Sequence, residues 1–200
     1  MGRERNRNDE RSRIAHYAAR LMAEDGIEDY GVAKRKAARQ AGVPDTRQLP
    51  TNEEIDEALR THQALYQPDA HRLHLRELRA KAVKAMNELT AFNPYLTGSV
   101  LNGNAGKYAD VNLQLYTDNL KSVELYLIER GIPYKATQTR LHVAGEARIA
   151  PVFTLEDNGT EIQLVVLGAR DVRAPVKTSS DGKPIERAKL QAVEVLLAET

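Results

Sequence analysis

The chain has no cysteine and no tryptophan, and aromatic residues make up only 5% of its 200 positions. Without cysteine there is no disulfide scaffold, zinc ribbon, iron–sulfur site or thiol nucleophile. So few aromatics, mostly tyrosine, argue against a base-stacking platform for single-stranded nucleic acid. No apolar run approaches the roughly eighteen residues of a membrane span. Met1-Gly2-Arg3-Glu4-Arg5 opens without the apolar core of a secretory signal. No Gly-x-Ser-x-Gly elbow marks a serine nucleophile, and there is neither an internal repeat nor a low-complexity segment. Charge of one sign is not in excess: 29 Lys and Arg stand against 28 Asp and Glu. That balance weighs against a dedicated nucleic-acid binder, although clustering on the surface counts for more than the sum. What is present is a hydrophobic fraction of 42%, enough for a folded core. The expectation is a soluble, cytoplasmic protein with no membrane partner, built as one domain or one with an appendage. The sequence specifies no oligomeric state.

The first part reads as helix. Ile14, Ala18, Leu21 and Met22 recur at helical spacing up to a stop at Gly26. Tyr30 to Gln40 forms a short basic helix ended by Gly42, and Pro44 and Pro50 make the following stretch irregular. Thr51 and Glu54 are spaced as a capping box, opening a helix with Ile55, Leu59 and Leu65 inward until Gln67-Pro68-Asp69 breaks it. From about Ala70 to Phe92, Leu75, Leu78, Val83, Met86 and Leu89 form an apolar stripe. Arg72, Arg76, Arg79, Lys81 and Lys84 take the other face. The texture changes after Asn93-Pro94. Asp110 to Tyr116 alternates strictly, the period of a half-buried strand, with Val111, Leu113 and Leu115 on one face and Asp110, Asn112 and Gln114 on the other. Leu120 to Arg130 is an amphipathic helix closed by Gly131. Ile149–Glu156 and Glu161–Leu167 are strands around the hairpin signal Asn158-Gly159, and Pro184 to Ala198 is a last helix. The predicted fold class is α+β, a mixed or antiparallel sheet with flanking helices behind an α-helical N-terminal region. The boundary is expected at residues 68 and 69, giving regions 1–68 and 69–200.

The chemistry-bearing stretch runs from Leu96 to Leu113. Gly98-Ser99 is followed eleven positions later by Asp110, on a strand in which Asn112 points the same way. This pattern resembles the signature of the nucleotidyltransferase superfamily with the polymerase-beta-like fold. In that signature an apolar residue and Gly-Ser precede a strand carrying an acid, an apolar residue and a second acid. The resemblance covers roughly residues 70 to 170. It implies that Gly98 and Ser99 hold the phosphates of a nucleoside triphosphate such as ATP, with Lys107 as a further phosphate contact. It implies that Asp110 and Asn112 hold Mg²⁺. A third acid on a later strand completes the family's site, and by order of elements Gln163 or Glu161 stands there. The implied activity is transfer of a nucleotidyl group to an unknown protein, RNA or small acceptor. The departures are Asn112 and Gln163, amides where the signature has acids. An amide oxygen can ligate a cation but brings no charge, so the alternative is a catalytically degenerate relative that binds a nucleotide or a partner.

Other motifs compete. Gly103-Asn104-Ala105-Gly106-Lys107 is similar to the phosphate loop of muramyl ligases, but Tyr108 stands where a Ser or Thr must reach magnesium. Arg20 to Val43 resembles the first two helices of tetracycline-repressor-type DNA-binding domains. A recognition helix should follow at once, and two prolines stand there instead, which leaves a helical hairpin packed on the sheet domain. Lys34, Arg35, Lys36 and Arg39 read as a solvated face or as a nucleic-acid contact. His71 and His74 have a spacing that could seat a metal, while His16, His62 and His142 read as isolated and solvent-facing.

Overall fold

The structure, a computed structural model, describes residues 2–27, 29–43, 49–66, 68–179 and 182–200. The chain parts into two compact units, Met1–His74 with Gly103–Ala109, and Leu75–Asn102 with Asp110–Thr200. Among the described residues there are seven α-helices and one seven-stranded mixed sheet. None of the helices is long and apolar enough to cross a membrane.

The first unit contains α1 (Gly2–Glu24), α2 (Tyr30–Gln40) and α3 (Asn52–Tyr66), with the opening turns of α4 (Pro68–Glu88). Its core is built largely from alanine: Ala15, Ala18 and Ala19 of α1, Ala33, Ala37 and Ala38 of α2, and Ala58 of α3 surround Ile14, Ile55 and Leu59. Small side chains let helix axes approach to the short end of the usual 8–10 Å range. The capping box forms as its spacing demands. Glu54 N–H donates to Thr51 Oγ1 at 3.2 Å and Thr51 N–H donates to Glu54 Oε2 at 2.6 Å. Asp29 caps α2 by accepting from Val32 N–H at 2.7 Å. Leu65 is not inward: it is 69% exposed. The irregular stretch around Pro44 and the break at Gln67 lie outside the described residues, and Pro68 already begins α4, as suits a residue without an N–H.

The apolar stripe of α4 departs from the expected one. Leu75, Leu78, Met86 and Leu89 are buried, but Ala82 and Arg79 fill the stripe and Val83 lies at its margin. Arg79, expected among the solvated cations, is 7% exposed. Helical periodicity explains this, because 75, 78, 79, 82 and 86 follow the three-and-four spacing of one face. The buried guanidinium donates to the carbonyls of Val100 at 3.3 Å, Leu101 at 3.4 Å and Leu196 at 3.0 Å, and to the Thr200 hydroxyl. Those carbonyls lie at the C-terminal ends of α5 (Ser99–Asn102) and α7 (Leu190–Glu199), where helix dipoles favour a cation.

The sheet belongs to the second unit. Its strands are β1 (Tyr95–Thr97), β2 (Val111–Thr117), β3 (Lys135–Val143), β4 (Glu146–Asp157), β5 (Thr160–Gly168), β6 (Val176–Lys177) and β7 (Arg187–Ala188), in the order β6-β3-β4-β5-β2-β1-β7. β2 runs parallel to β5 and antiparallel to β1, and β4 is antiparallel to both β3 and β5. α6 (Lys121–Glu129) follows β2 and ends at Gly131 with φ +64°. The Asn158-Gly159 turn has φ +50° and +77°, the left-handed pair of a type I′ hairpin. β2 is central, so its second half is buried on both faces and Gln114, expected opposite the apolar face, is 3% exposed. The C-terminal helix starts later than expected, at Leu190. Ile185 N–H instead donates to Val176 O at 2.7 Å, and Arg187 and Ala188 pair with β1. β3 was not foreseen, because its exposed first half, Lys135-Ala136-Thr137-Gln138, carries no apolar alternation.

Candidate functional site

The site grows out of strand register. Thr97 of β1 stands opposite Asn112 of β2, Asn112 opposite Gln163 of β5, and Gln163 opposite Thr154 of β4. Arg187 of β7 and Lys135 of β3 extend the row at either end. Residues directly opposite share a face, so six polar side chains form one line across six strands spaced about 4.8 Å apart. One pleat along, Glu161 of β5 stands opposite Glu156 of β4. The opposite face carries Val111, Leu113, Leu115, Ile162 and Leu164, all buried. Farther along the polar face, Tyr116, Leu141, Leu167 and Val176 form a separate apolar cluster. Arg187 is pinned there. It donates to Val172 O at 2.6 Å and to the Tyr116 hydroxyl, with its guanidinium 5.4 Å from the Tyr95 and Tyr116 ring centres.

Asp110 immediately precedes β2 and is half-buried. Gln163 Nε2 donates to Asp110 Oδ2 at 2.7 Å, and Asn112 Nδ2 reaches the Asp110 backbone carbonyl at 3.4 Å. Burial pushes the Asp110 carboxyl above the usual carboxylate range; the Gln163 hydrogen bond offsets part of this and the charge of Glu161 adds to it. Gly98 has φ +76°, and a Cβ there would stand 3.4 Å from Asn112 Nδ2. The turn after β1 therefore needs glycine for its backbone and brings Ser99, the first residue of α5, next in sequence. Asp110, Asn112 and Gln163 thus come together beside Gly98, while Glu161 is exposed on the neighbouring row. Thr97, Thr154 and Lys135 were not named from sequence. The Asn158-Gly159 turn carried the signal for Thr154, because a two-residue turn fixes 154 opposite 163.

The residues present do not fit Mg²⁺ of the superfamily type. Such a site wants one or two carboxylates with free oxygens beside the substrate phosphates. Here one oxygen of the Asp110 carboxylate already accepts from an amide N–H, and the side chains beside it, Asn112 and Gln163, are uncharged amides. Among the described residues no group of three or more His, Asp or Glu side chains is arranged to hold a metal.

Lys107 belongs to the first unit, where its ammonium lies 5.2 Å from the Tyr108 ring centre. The Gly103–Lys107 segment is stitched down through its carbonyls. His71 Nε2 bonds Gly103 O at 3.0 Å, His74 Nε2 bonds Gly106 O at 3.1 Å, and Gln63 Nε2 donates to Ala105 O at 3.1 Å. Asn104 Nδ2 donates to Asp56 Oδ1 at 2.7 Å, an atom that also accepts from the Tyr30 hydroxyl. A phosphate loop presents its N–H groups to the ligand; this segment is ordered by contacts of a different kind. His71 and His74 hold backbone carbonyls. His62 is half-buried, 3.4 Å from Glu24, and His142 is half-buried with Nδ1 unpartnered, so neither is solvent-facing; His16 is exposed. In the basic helix, Lys36 pairs with Asp25 at 2.9 Å and Lys34 donates to Asn52 at 2.7 Å.

Comparison of the chain with protein-family models gave no match, and comparison with curated proteins gave none.

Proposed function

We propose that the second unit is a nucleotide-binding module of nucleotidyltransferase type, with the polymerase-beta-like arrangement, whose transfer chemistry is disarmed. The order of elements supports this reading: a strand ending at Gly98-Ser99, a strand headed by Asp110, and a parallel neighbour carrying position 163 in register with position 112. The observation that carries the loss of chemistry is the 2.7 Å hydrogen bond from Gln163 Nε2 to Asp110 Oδ2. It turns the one remaining acid of the signature into an internal acceptor. With amides in place of acids the face offers N–H donors, and donors suit phosphate oxygens directly. Lys135 and Thr154, on the same row, add a cation and a hydroxyl. Binding then depends on Gly98, Ser99 and the amide row.

The test is a transfer assay with labelled nucleoside triphosphates, Mg²⁺ or Mn²⁺, and protein, RNA and small acceptors. The expected outcome is binding without incorporation of label. Metal-dependent incorporation that disappears in Asp110→Ala would overturn the proposal and restore an active transferase.

A further inference from the structure

The two ends of the sheet are of different kinds. At one end β7 is only two residues long. At the other, β3 is nine residues long and β6 covers only His142 and Val143 of it. β6 then leaves the edge: Gly182 N–H donates to Ser179 O at 3.2 Å, and Ile185 N–H returns to Val176 O at 2.7 Å. Among the described residues, Lys135–Arg140 therefore pair with β4 on one side and with no strand on the other. In an antiparallel ladder every second residue of an edge turns its N–H and C=O outward, so this stretch offers a row of main-chain donors and acceptors.

Long edges are normally blunted by proline, by a bulge or by being covered. This stretch contains no proline, and its register with Ile149–Thr154 of β4 runs without a bulge. What it carries is charge of one sign. Lys135 and Arg140 stand at its ends with no acid between them, and both are exposed. None of the side chains from Lys135 to Arg140 has a hydrogen bond or an ion pair among the described residues. Thr137 and Thr139 between them are β-branched and suit an extended backbone.

These charges select the occupant. A second copy paired two-fold across the whole stretch would set Lys135 opposite Arg140, and like charges directly opposite destabilise a strand pair. Acids in the same places would be favourable. Lys135 and Arg140 lie on opposite faces of β3, because successive side chains alternate, and a strand alongside with acids at the same spacing meets both. We infer that the Lys135–Arg140 edge of β3 binds an extended acidic peptide segment as an added strand. Main-chain hydrogen bonds supply the pairing, and the two cations select the acids. Lys135 is shared with the polar row described above, but the inference does not rest on nucleotide binding.

The experiment is titration of the full chain with a dye-labelled extended peptide that matches the edge in length. The peptide has acids at its first and last positions and alternating threonine and valine between, and binding is read by fluorescence anisotropy. One comparator carries lysine in place of both acids; another keeps the acids but is N-methylated along its backbone. The expected result is saturable binding of the acidic peptide, with each comparator weaker by about tenfold or more. Hydrogen exchange slows at alternate amides of 135–140 when the acidic peptide is bound. The double variant Lys135→Glu, Arg140→Glu, folded by circular dichroism, prefers the lysine peptide; the wild-type exchange pattern decides the matter if that variant does not fold. The inference is overturned by absence of saturable binding up to about 1 mM, by equal affinity for the acidic and lysine peptides, or by binding that leaves exchange over 135–140 unchanged. A folded double variant that still prefers the acidic peptide overturns it too. So does a dimer in sedimentation whose 135–140 amides are already protected without peptide, which would give the edge to a second copy.

Discussion

Replacing Gln163 by Glu tests the site through stability rather than catalysis. In the native chain Gln163 Nε2 donates to the Asp110 carboxylate at 2.7 Å, a charge-assisted bond worth about 1.5–3 kcal/mol. The substitution removes the donor and sets two carboxylates against each other. At about 4 Å and an effective dielectric of about 20 their repulsion is near 4 kcal/mol, but a shared proton caps the cost. The net loss at neutral pH is then about 2–4 kcal/mol. The sign with pH follows from the raised carboxyl: the protonated pair is favoured in the folded state, so stability is retained at low pH and lost as pH rises through the folded pKa. The same pair of carboxylates makes a cation site. If Mn²⁺ is present at about a hundred times its dissociation constant, it restores about 2.7 kcal/mol. The assay is urea denaturation followed by tyrosine fluorescence and circular dichroism at pH 5 and pH 7, in EDTA and in Mn²⁺. Gln163→Ala is the control, with the hydrogen bond lost but no response to metal. Equal stability of Gln163→Glu and wild type in EDTA at pH 7, or an equal Mn²⁺ response in both, would refute the reasoning.

Four further outcomes follow from the geometry. Arg79→Ala removes a buried guanidinium from three helix-end carbonyls and a hydroxyl, and should cost the second unit about 3 kcal/mol, with Arg79→Lys intermediate, read by urea midpoint. Gly98→Ala places a side chain at φ +76° and should cost about 1–2 kcal/mol, with weaker nucleotide binding by titration. Burial holds the Asp56 carboxyl above the usual range despite its bonds from Tyr30 and Asn104, so its stabilising contribution is present at low pH and lost as pH rises through the folded pKa. Asp56→Asn should therefore gain stability relative to wild type as pH rises, read as the difference in unfolding free energy between pH 4 and pH 8. Tyr30→Phe leaves Asp56 one donor short and should cost about 1.5–3 kcal/mol by denaturant titration.

Most of what local pattern can encode was legible. The Thr51–Glu54 capping box, the Tyr30–Gln40 helix, the Gly131 stop and the Asn158-Gly159 hairpin each rest on a few adjacent residues, and each stands in the structure. What failed depended on distant partners. Arg79 reads as a solvated cation until the carbonyls of Val100 and Leu196 are beside it. Pro184–Lys189 continues a helical-looking run, but pairing with β1 gives Arg187 and Ala188 an extended backbone. β3 is a strand because β4 supplies its ladder, not because its exposed first half alternates. At the candidate site, Asp110, Asn112 and Gln163 were legible as positions, and their convergence follows from β2 running parallel to β5. The direction of the Gln163 amide, toward Asp110 rather than away from it, was not, since a one-dimensional pattern does not say which atom of a side chain meets which.

If the Gly98–Asp110–Gln163 site binds nucleotide as proposed, it does so without a protein-held metal. The most direct measurement is titration of the full chain with ATP in EDTA and again in Mg²⁺, with the products checked for transfer. Binding is expected in both, with affinities within about tenfold of each other, weakening in Gly98→Ala, and no transferred nucleotide. Failure to bind ATP in either condition would contradict a metal-independent nucleotide site, as would binding only with Mg²⁺ accompanied by transfer that Asp110→Ala abolishes.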